Sequence, residues 1–266
     1  MKESKIGWTD FSGGIWNIVT GCTPASEGCE HCYARAIYER FGRDFAKVQT
    51  HADKLAQWSE AKLPPYSPKR GEPHRPMVFV VDTGDLFHLL VPDGVISRAI
   101  RTMAARDDVT WQVLTKRPRL MREFVKVFQP WPQNIWLGVT VENQRRADER
   151  IPILLDTPAA VRFVSVEPML APVDLRERLG AWAKGDAFRD DLGQQHHHAI
   201  RGLDWVICGA ESGPHRRPFD VAWALDLYEQ CREAQVPFFY KQGSALWPGQ
   251  DDALPGVGQV KEWPAL

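Results

Sequence analysis

The stretch NIWLGVTVEN, residues 134–143, is apolar at almost every position and ends in two polar residues, Glu142 and Asn143. Because its apolar residues are consecutive rather than alternating, it predicts a strand covered on both faces, as in a parallel sheet. Six further runs rich in Val, Ile, Phe and Trp resemble it. They are IWNIVTG (15–21), MVFVVDTGDLF (77–87), TWQVLTKRP (110–118), VRFVSVEP (161–168), DWVICGAESG (204–213) and PFFYKQG (237–243).

Stretches with helical spacing lie between these runs. HCYARAIYERFGRDFA (31–46) places Ala34, Ile37, Tyr38 and Phe41 at i, i+3, i+4 and i+7, which predicts a helix with one apolar face. The others are DGVISRAIRTMAAR (93–106), RLMREFVKVF (119–128), QRRADERIPILL (144–155) and VAWALDLYEQCREA (221–234). This alternation predicts the α/β class and a partial (β/α) TIM-type barrel of about six to seven parallel strands. A doubly wound open sheet fits the same alternation and stays open.

Two polar segments interrupt the alternation, at residues 46–76 and 171–202, and the second contains the His run 196–198. We expect one domain over residues 1–246 with these segments as inserts, followed by an irregular tail, 247–266, that is rich in Pro and Gly. Adjacent histidines have diverging side chains, so the His run is not interpreted as a metal site.

The composition excludes several classes of protein. Hydrophobic residues make up 44% of the chain and charged residues 25%, as in an ordinary globular protein. The formal charge of −1 provides no bulk attraction to nucleic acid or anionic lipid. No apolar run reaches the ~20 residues of a membrane span, and the first residues lack the apolar core of a secretory leader. We therefore expect a cytoplasmic protein that does not contact membranes.

Three of the five cysteines are clustered in GCTPASEGCEHCYA, residues 21–34, as Cys22, Cys29 and Cys32. Cytoplasmic thiols stay reduced, so an odd, clustered set favours metal binding or catalysis over a disulfide framework. Three thiolates with one vacant position suit a [4Fe–4S] cluster whose fourth iron binds another ligand. The alternative is a structural zinc loop with a distant fourth ligand, for which His51 is a candidate.

This cysteine run, placed after a predicted strand, resembles the cluster loop of the radical S-adenosylmethionine (SAM) superfamily. Together with LTKRP, LGVTVEN, SVEPML, GAESG and FFYKQG, it also resembles an uncharacterised, phage-associated family of three-cysteine proteins related to that superfamily. The resemblance implies a barrel of radical SAM type, a [4Fe–4S] cluster on the three cysteines and SAM as cofactor. This chain departs from the superfamily pattern, since six residues rather than three separate Cys22 from Cys29.

Polar residues follow each predicted strand, at the edge where the loops of a barrel converge. The resemblance implies that the acidic, Gly-containing turn at Thr83, Gly84 and Asp85 binds the SAM amine. Further cofactor candidates are Glu142 and Asn143, as acceptors for ribose hydroxyls, and Glu167. Candidate catalytic side chains are Lys116, Glu211 and Lys241.

The preferred hypothesis is a radical SAM enzyme that uses an external one-electron donor to cleave SAM to a 5′-deoxyadenosyl radical. The substrate is unknown. The basic pair Lys116 and Arg117, with Arg119 and the turn PHRRP (214–218), suggests a nucleotide or nucleic acid. Two alternatives stay open: a zinc- or cluster-stabilised binding module that acts with a partner protein, and a magnesium-dependent hydrolase or nuclease. The latter would use Asp85, Glu142, Glu167 and Glu211.

Overall fold

The computed structural model describes residues 3–69, 75–180, 188–189, 195–196 and 202–265. Its strands are β1 (Phe11–Ser12), β2 (Val19–Thr20), β3 (Gln49–Thr50), β4 (Met77–Val80), β5 (Thr110–Thr115), β6 (Ile135–Thr140), β7 (Arg162–Val166), β8 (Phe188–Arg189), β9 (Gln195–His196), β10 (Trp205–Gly209) and β11 (Phe238–Gln242). Its α-helices are α1 (Tyr33–Arg40), α2 (Lys54–Glu60), α3 (Asp93–Ala105), α4 (Pro118–Val127), α5 (Gln144–Leu155) and α6 (Val221–Glu233).

One sheet of seven parallel strands organises the molecule, in the order β1-β4-β5-β6-β7-β10-β11. The spatial order follows the chain order without a reversal. A doubly wound sheet requires such a reversal, so that alternative is wrong. Because successive crossovers of one hand advance in one direction, their helices collect on one face of the sheet. The protein is therefore an α/β partial barrel, as the sequence predicts.

The register aligns the carboxyl ends of the strands. Thr140 on β6 is paired with Ser165 on β7, and Val166 on β7 is paired with Cys208 on β10. The loops that leave these strands therefore start at one edge of the sheet, where the candidate site residues are expected.

The two faces of the sheet have different cores. The outer face packs against the helices through a cluster of mostly aliphatic residues. The inner face carries a compact aromatic cluster, in which Trp8 lies 4.8 Å from Phe79 and Trp136 lies 6.1 Å from Trp205, measured between ring centroids. We call it the inner aromatic cluster. Its buried members are Trp8, Met77, Phe79, Trp136, Val161, Phe163, Trp205, Ile207 and Phe239.

Six of the seven predicted strands are confirmed, and the first is wrong. The chain joins the sheet at β1, residues 11–12, and the predicted strand 15–21 contains instead a 3₁₀ turn and β2. Gly13 and Gly14, with φ of 71° and 55°, turn the chain out of the sheet. β2 then pairs in an antiparallel manner with β3, away from the main sheet.

The predicted helices are all present, but the apolar face of α1 is not buried as expected. Of its apolar residues Ala34 alone is buried, whereas Ile37 is 45% exposed and Phe41, directly after the helix, is 69% exposed. By contrast, the five apolar residues that face inward on α3 are all buried. The difference is one of position, because Ile37 lines a cavity at the carboxyl edge of the sheet instead of packing in the core.

The insert 46–76 is not a detached loop in its described part. Its helix α2 buries Leu55 and Trp58, and the Trp58 ring stacks on Trp111 with centroids 5.2 Å apart. Most of residues 181–201 lie outside the described residues, including His197 and His198 of the His run.

The described part of the tail runs from one edge of the sheet to the other. Val260 accepts a hydrogen bond from the Tyr240 amide on β11, and Trp263 Nε1 donates to the carbonyl of Trp8, close to β1. No α-helix in the described residues is long and apolar enough for a membrane span.

Candidate functional site

A cavity of about 1550 Å³ opens at the carboxyl edge of the sheet. Cys22, Cys29 and Cys32 all line it, and each is partly exposed. The other two cysteines, Cys208 and Cys231, are buried in the outer core. The structure thus brings the clustered thiols into one cavity and keeps the remaining thiols out of it.

Residues 21–32, the cysteine loop, begin at a close approach of two backbones. Gly21 has a φ of 83°, and a Cβ built there would lie 2.4 Å from the carbonyl oxygen of Lys47. The Gly21 amide donates to the Thr83 carbonyl at 3.0 Å, and the Cys22 amide donates to the Phe45 carbonyl at 2.8 Å. Glycine is therefore required at this position.

The first anchor of the loop comes from the ends of β4 and β5. The Arg117 guanidinium donates to the carbonyl of Thr23 at 2.8 Å and lies 3.5 Å from Cys22 Sγ. Asp85 holds this guanidinium at 3.0 Å and also accepts the hydroxyl of Thr115 at 2.8 Å. Asp85 and Arg117 therefore position the first cysteine.

The second anchor is Glu142, which is completely buried beyond β6. Its carboxylate accepts the hydroxyl of Ser26 at 2.6 Å and pairs with Arg150 at 3.2 Å. Lys116 Nζ lies 3.7 Å away. A Cβ on Gly28 would lie 2.4 Å from Glu142 Cγ, so the loop fits over this carboxylate because residue 28 has no side chain.

The third anchor lies beside the second, at the start of α5. Asn143 caps α5 by accepting the amide of Arg146, and its side-chain amide donates to Glu27. Arg146 donates to the same Glu27 carboxylate at 2.7 Å and lowers its pKa to about 2. Asn143 and Arg146, both at the N-terminus of α5, therefore hold Glu27 in its ionised form.

The fourth anchor comes from the end of β10. Glu211 accepts several hydrogen bonds from Arg217 and lies 3.1 Å from Nδ1 of His31. Arg217 also donates to the carbonyl of Glu27 at 3.0 Å and to Glu30 at 3.1 Å. Burial alone would raise the pKa of Glu211, but the hydrogen bonds from Arg217 lower it below its usual value. The two ends of the loop are thus held by opposite parts of the sheet edge.

The surroundings of two of the thiols differ. Burial raises the pKa of Cys22, although the Arg117 charge opposes this shift. Burial also acts to raise the pKa of Cys29, but the Ala25 amide, which donates to Cys29 Sγ at 3.4 Å, opposes it. The charge of Lys116 and hydrogen bonds from Ser26 add to that effect, and the pKa of Cys29 lies below its ordinary value. The loop favours a thiolate at its second cysteine.

Among the described residues, no three His, Cys, Asp or Glu side chains are grouped as ligands of a single metal ion. His51, the candidate fourth zinc ligand, bonds instead to the Thr20 hydroxyl at 2.8 Å. A cubane cluster has a different requirement, because each thiolate binds its own iron, so the thiolates must border a shared cavity. The three thiols, the amide donor at Cys29 and the cation at Cys22 fit such a cluster.

The remaining predicted side chains lie on the other cavity walls. Glu167 is held by Ser165 at 3.0 Å and forms an ion pair with Lys241 at 3.0 Å. A Cβ at Gly209 would lie 2.6 Å from the Glu167 carboxylate, so the missing side chain makes room for it. Gly84 also lines the cavity, whereas Thr83 contributes its carbonyl to the cysteine loop.

Sequence reasoning missed Asp82, which lines the cavity after the strained residue Val81 (φ 62°) at the end of β4. Asn17 donates to its carboxylate at 2.6 Å, and burial raises the pKa of Asp82. It also missed the partner cations Arg146 and Arg150, and it assigned Arg217, in the turn PHRRP, to phosphate rather than to Glu211. Arg146 has no local signal, because its partner Glu27 lies 119 positions away.

The fold and this cavity define the class of protein: an α/β partial barrel with a three-cysteine loop at the carboxyl edge of its sheet. The chain belongs to the family described as "Protein of unknown function (DUF5131)", whose profile matches residues 3–252. This membership agrees with the resemblance to a family without an assigned reaction; the association with phages stays a prediction. None of the curated proteins matches the chain.

Two solved structures are similar to it. One is a spore photoproduct lyase mutant with bound AdoMet and dinucleoside spore photoproduct, which is 11% identical, with a TM-score of 0.45 and coverage of 87% of this chain and 75% of that chain. The other is a spore photoproduct lyase complexed with dinucleoside spore photoproduct, at 11% identity, a TM-score of 0.45 and coverage of 86% and 75%. At this TM-score we infer neither fold nor function from the likeness.

Proposed function

We propose that this protein is an iron–sulfur enzyme of radical SAM type in which Cys22, Cys29 and Cys32 hold a [4Fe–4S] cluster. The proposal rests on one observation: all three thiols line a single large cavity at the carboxyl edge of the sheet. A cluster held by three thiolates keeps one iron for an outside ligand, and SAM is the ligand that we propose.

Cys22, Cys29 and Cys32 would hold the cluster, which together with SAM and an external one-electron donor would supply reductive cleavage of SAM and hydrogen-atom abstraction from the substrate. The residues of this chain bind, orient and shield those groups. The four anchors hold the cysteine loop through contacts within the protein, as a preorganised site requires.

The predicted polar residues separate into two groups by their contacts. Asp85, Glu142, Asn143, Lys116 and Glu211 engage the cysteine loop or the residues that hold it. We therefore propose that they position the cluster rather than contact SAM or substrate.

The second group faces the cavity without bonding to the cysteine loop through a side chain. It consists of Gly84, Glu167 and Lys241. The backbone of Thr83, next to Gly84, belongs to the same part of the site. Gly84 and Glu167 are the groups that we propose for SAM. Lys241, paired with Glu167 across the cavity wall, is the candidate to act on substrate.

The hydrolase alternative loses support from the same contacts. Its four carboxylates lie at different strand ends, and each is paired with a different Lys or Arg side chain: Asp85 with Arg117, Glu142 with Arg150, Glu167 with Lys241 and Glu211 with Arg217. A carboxylate paired in this way gains little from binding Mg²⁺, because the metal must displace its cation.

The experiment is anaerobic reconstitution with iron and sulfide, followed by incubation with SAM and dithionite. We expect about four irons per chain and the formation of 5′-deoxyadenosine. The variant Cys29→Ala should yield neither, and Cys231→Ala is the matched control because its thiol is buried in the outer core. Reconstituted protein that binds one zinc and no iron would contradict the proposal.

A further inference from the structure

The cavity is larger than a single cofactor needs. Sites for drug-sized ligands occupy ~300–1,000 Å³. This cavity measures about 1550 Å³, and its lining extends from the cysteine loop to the tail residues around Trp247. Space therefore remains at its outer rim for a second ligand of considerable size.

Three of the cations that the sequence suggested for phosphate binding are already paired with carboxylates. Lys116 lies beside Glu142, Arg117 is held by Asp85, and Arg217 is held by Glu211. A phosphate could bind these groups only by displacing a carboxylate.

Two other arginines on the cavity lining are free of carboxylates. Among the described residues, no acidic side chain lies within ion-pair distance of Arg35 or Arg216. Arg35 projects from α1, and Arg216 makes one hydrogen bond, to the carbonyl of Gly213 in its own turn. Half-buried cations without a counter-charge are suited to bind an anionic ligand.

The same rim exposes large apolar side chains. Trp247 is 69% exposed, Leu246 54% and Tyr33 56%, and all three line the cavity. Ile37 on α1 lies on the cavity as well. Two residues of the apolar face of α1, Ala34 and Ile37, therefore line this cavity. Contiguous exposed apolar residues around a cavity are typical of a ligand-binding surface.

From the free arginines and the exposed rings we infer that this rim binds single-stranded nucleic acid, as the substrate class of the proposed enzyme. Unpaired bases stack on exposed aromatic rings, and their phosphates bind arginines that line the same cavity. A duplex is disfavoured because its bases already stack on each other and because the net charge of −1 gives no long-range attraction. The inference rests on the proposed function only for the word substrate, because the rim consists of residues of this chain alone.

The test measures binding of a fluorescein-labelled oligothymidylate and an oligouridylate by anisotropy, with the reconstituted protein and over a range of salt. We expect Trp247→Ala to weaken binding by about 10- to 100-fold, as for the loss of one stacked base. Arg35→Ala and Arg216→Ala should each flatten the plot of log affinity against log salt by about 0.7. The matched controls are Arg145→Ala and Leu90→Ala, whose exposed side chains lie outside the cavity; neither should change binding.

Three outcomes would overturn the inference: no binding at low salt, equal binding by the rim variants and the unaltered protein, or equal competition by polyglutamate, which would indicate an acidic peptide ligand. Formation of 5′-deoxyadenosine without oligonucleotide binding would contradict the assignment of the substrate but not the proposed enzyme. Oligonucleotide binding without SAM cleavage would support the rim as a binding site and contradict the proposed enzyme.

Discussion

The two ends of the sheet's inner face are built from the same strands but differ completely in chemistry. Along β7 and its loop the inward residues are Phe163, Ser165 and Glu167, and along β11 Phe239 precedes Lys241. At the amino end these side chains form the inner aromatic cluster, and at the carboxyl end they line the cavity. The amino end thus stabilises the fold, whereas the carboxyl end holds the cysteine loop and lines the cavity.

The largest expected effect is at the carboxyl end. Cys29→Ala should abolish iron binding, because a cluster that loses one of three thiolates is no longer held, while the fold persists. Iron content and far-UV circular dichroism measure the two consequences. A variant that keeps its iron would show that Cys29 is not a ligand.

At the amino end, Trp205→Ala should lower the free energy of unfolding by about 3–5 kcal/mol, the usual cost of removing a buried aromatic side chain. Trp205 is buried against Trp8, Phe163 and Trp136. Urea denaturation measures the loss, and Lys5→Ala, an exposed change at the cavity rim, is the control. An equal decrease in the free energy of unfolding in both variants would contradict the conclusion that the amino end stabilises the fold more than the cavity rim does.

A smaller change tests the fit between loop and sheet edge. Gly28→Ala places a methyl group against the Glu142 carboxylate, 2.4 Å from Cγ, so the cysteine loop must shift. We expect partial loss of reconstituted iron with little change in unfolding. Gly94→Ala is the matched control, since nothing lies within 4 Å of its Cβ position. If both variants retain iron equally, the second anchor does not position the loop.

The smallest effect is expected near the amino end, for an ion pair in which the Asp108 carboxylate is exposed and Arg106 is mostly buried. Arg106 lowers the pKa of Asp108, so the pair stabilises the fold above the unfolded pKa of Asp and loses this effect as pH falls through the lower, folded pKa. Asp108→Asn should cost less than ~1 kcal/mol at pH 7. Urea denaturation at pH 7 and pH 3 measures it, and a difference that grows toward acid would have the wrong sign.

The sequence predicts the sheet well because buried parallel strands leave a continuous apolar signal. It fails at β1, since a strand of two residues before two glycines has no such signal. It also fails at α1, where apolar spacing indicates a helix but does not say whether the apolar face meets core or cavity.

For the candidate site, the sequence locates the polar residues at the strand ends but not their partners. Ser26 and Glu142 are separated by 116 positions, and Glu27 is separated from Arg146 by 119. Only the closure of the sheet brings such pairs together. For that reason the sequence does not show that Asp85 binds Arg117 or that Glu142 binds Ser26 of the cysteine loop. Of the two rim arginines, Arg216 lies in the turn PHRRP, whereas Arg35 lies outside the basic sequence runs.

The most direct test of the three-thiolate cluster is electron paramagnetic resonance of the reduced, reconstituted protein before and after SAM is added. The account predicts a [4Fe–4S]⁺ signal whose g values change with SAM, because one iron lacks a protein ligand and binds it. A signal that SAM leaves unchanged, or protein that holds zinc and gives no signal, would contradict the account.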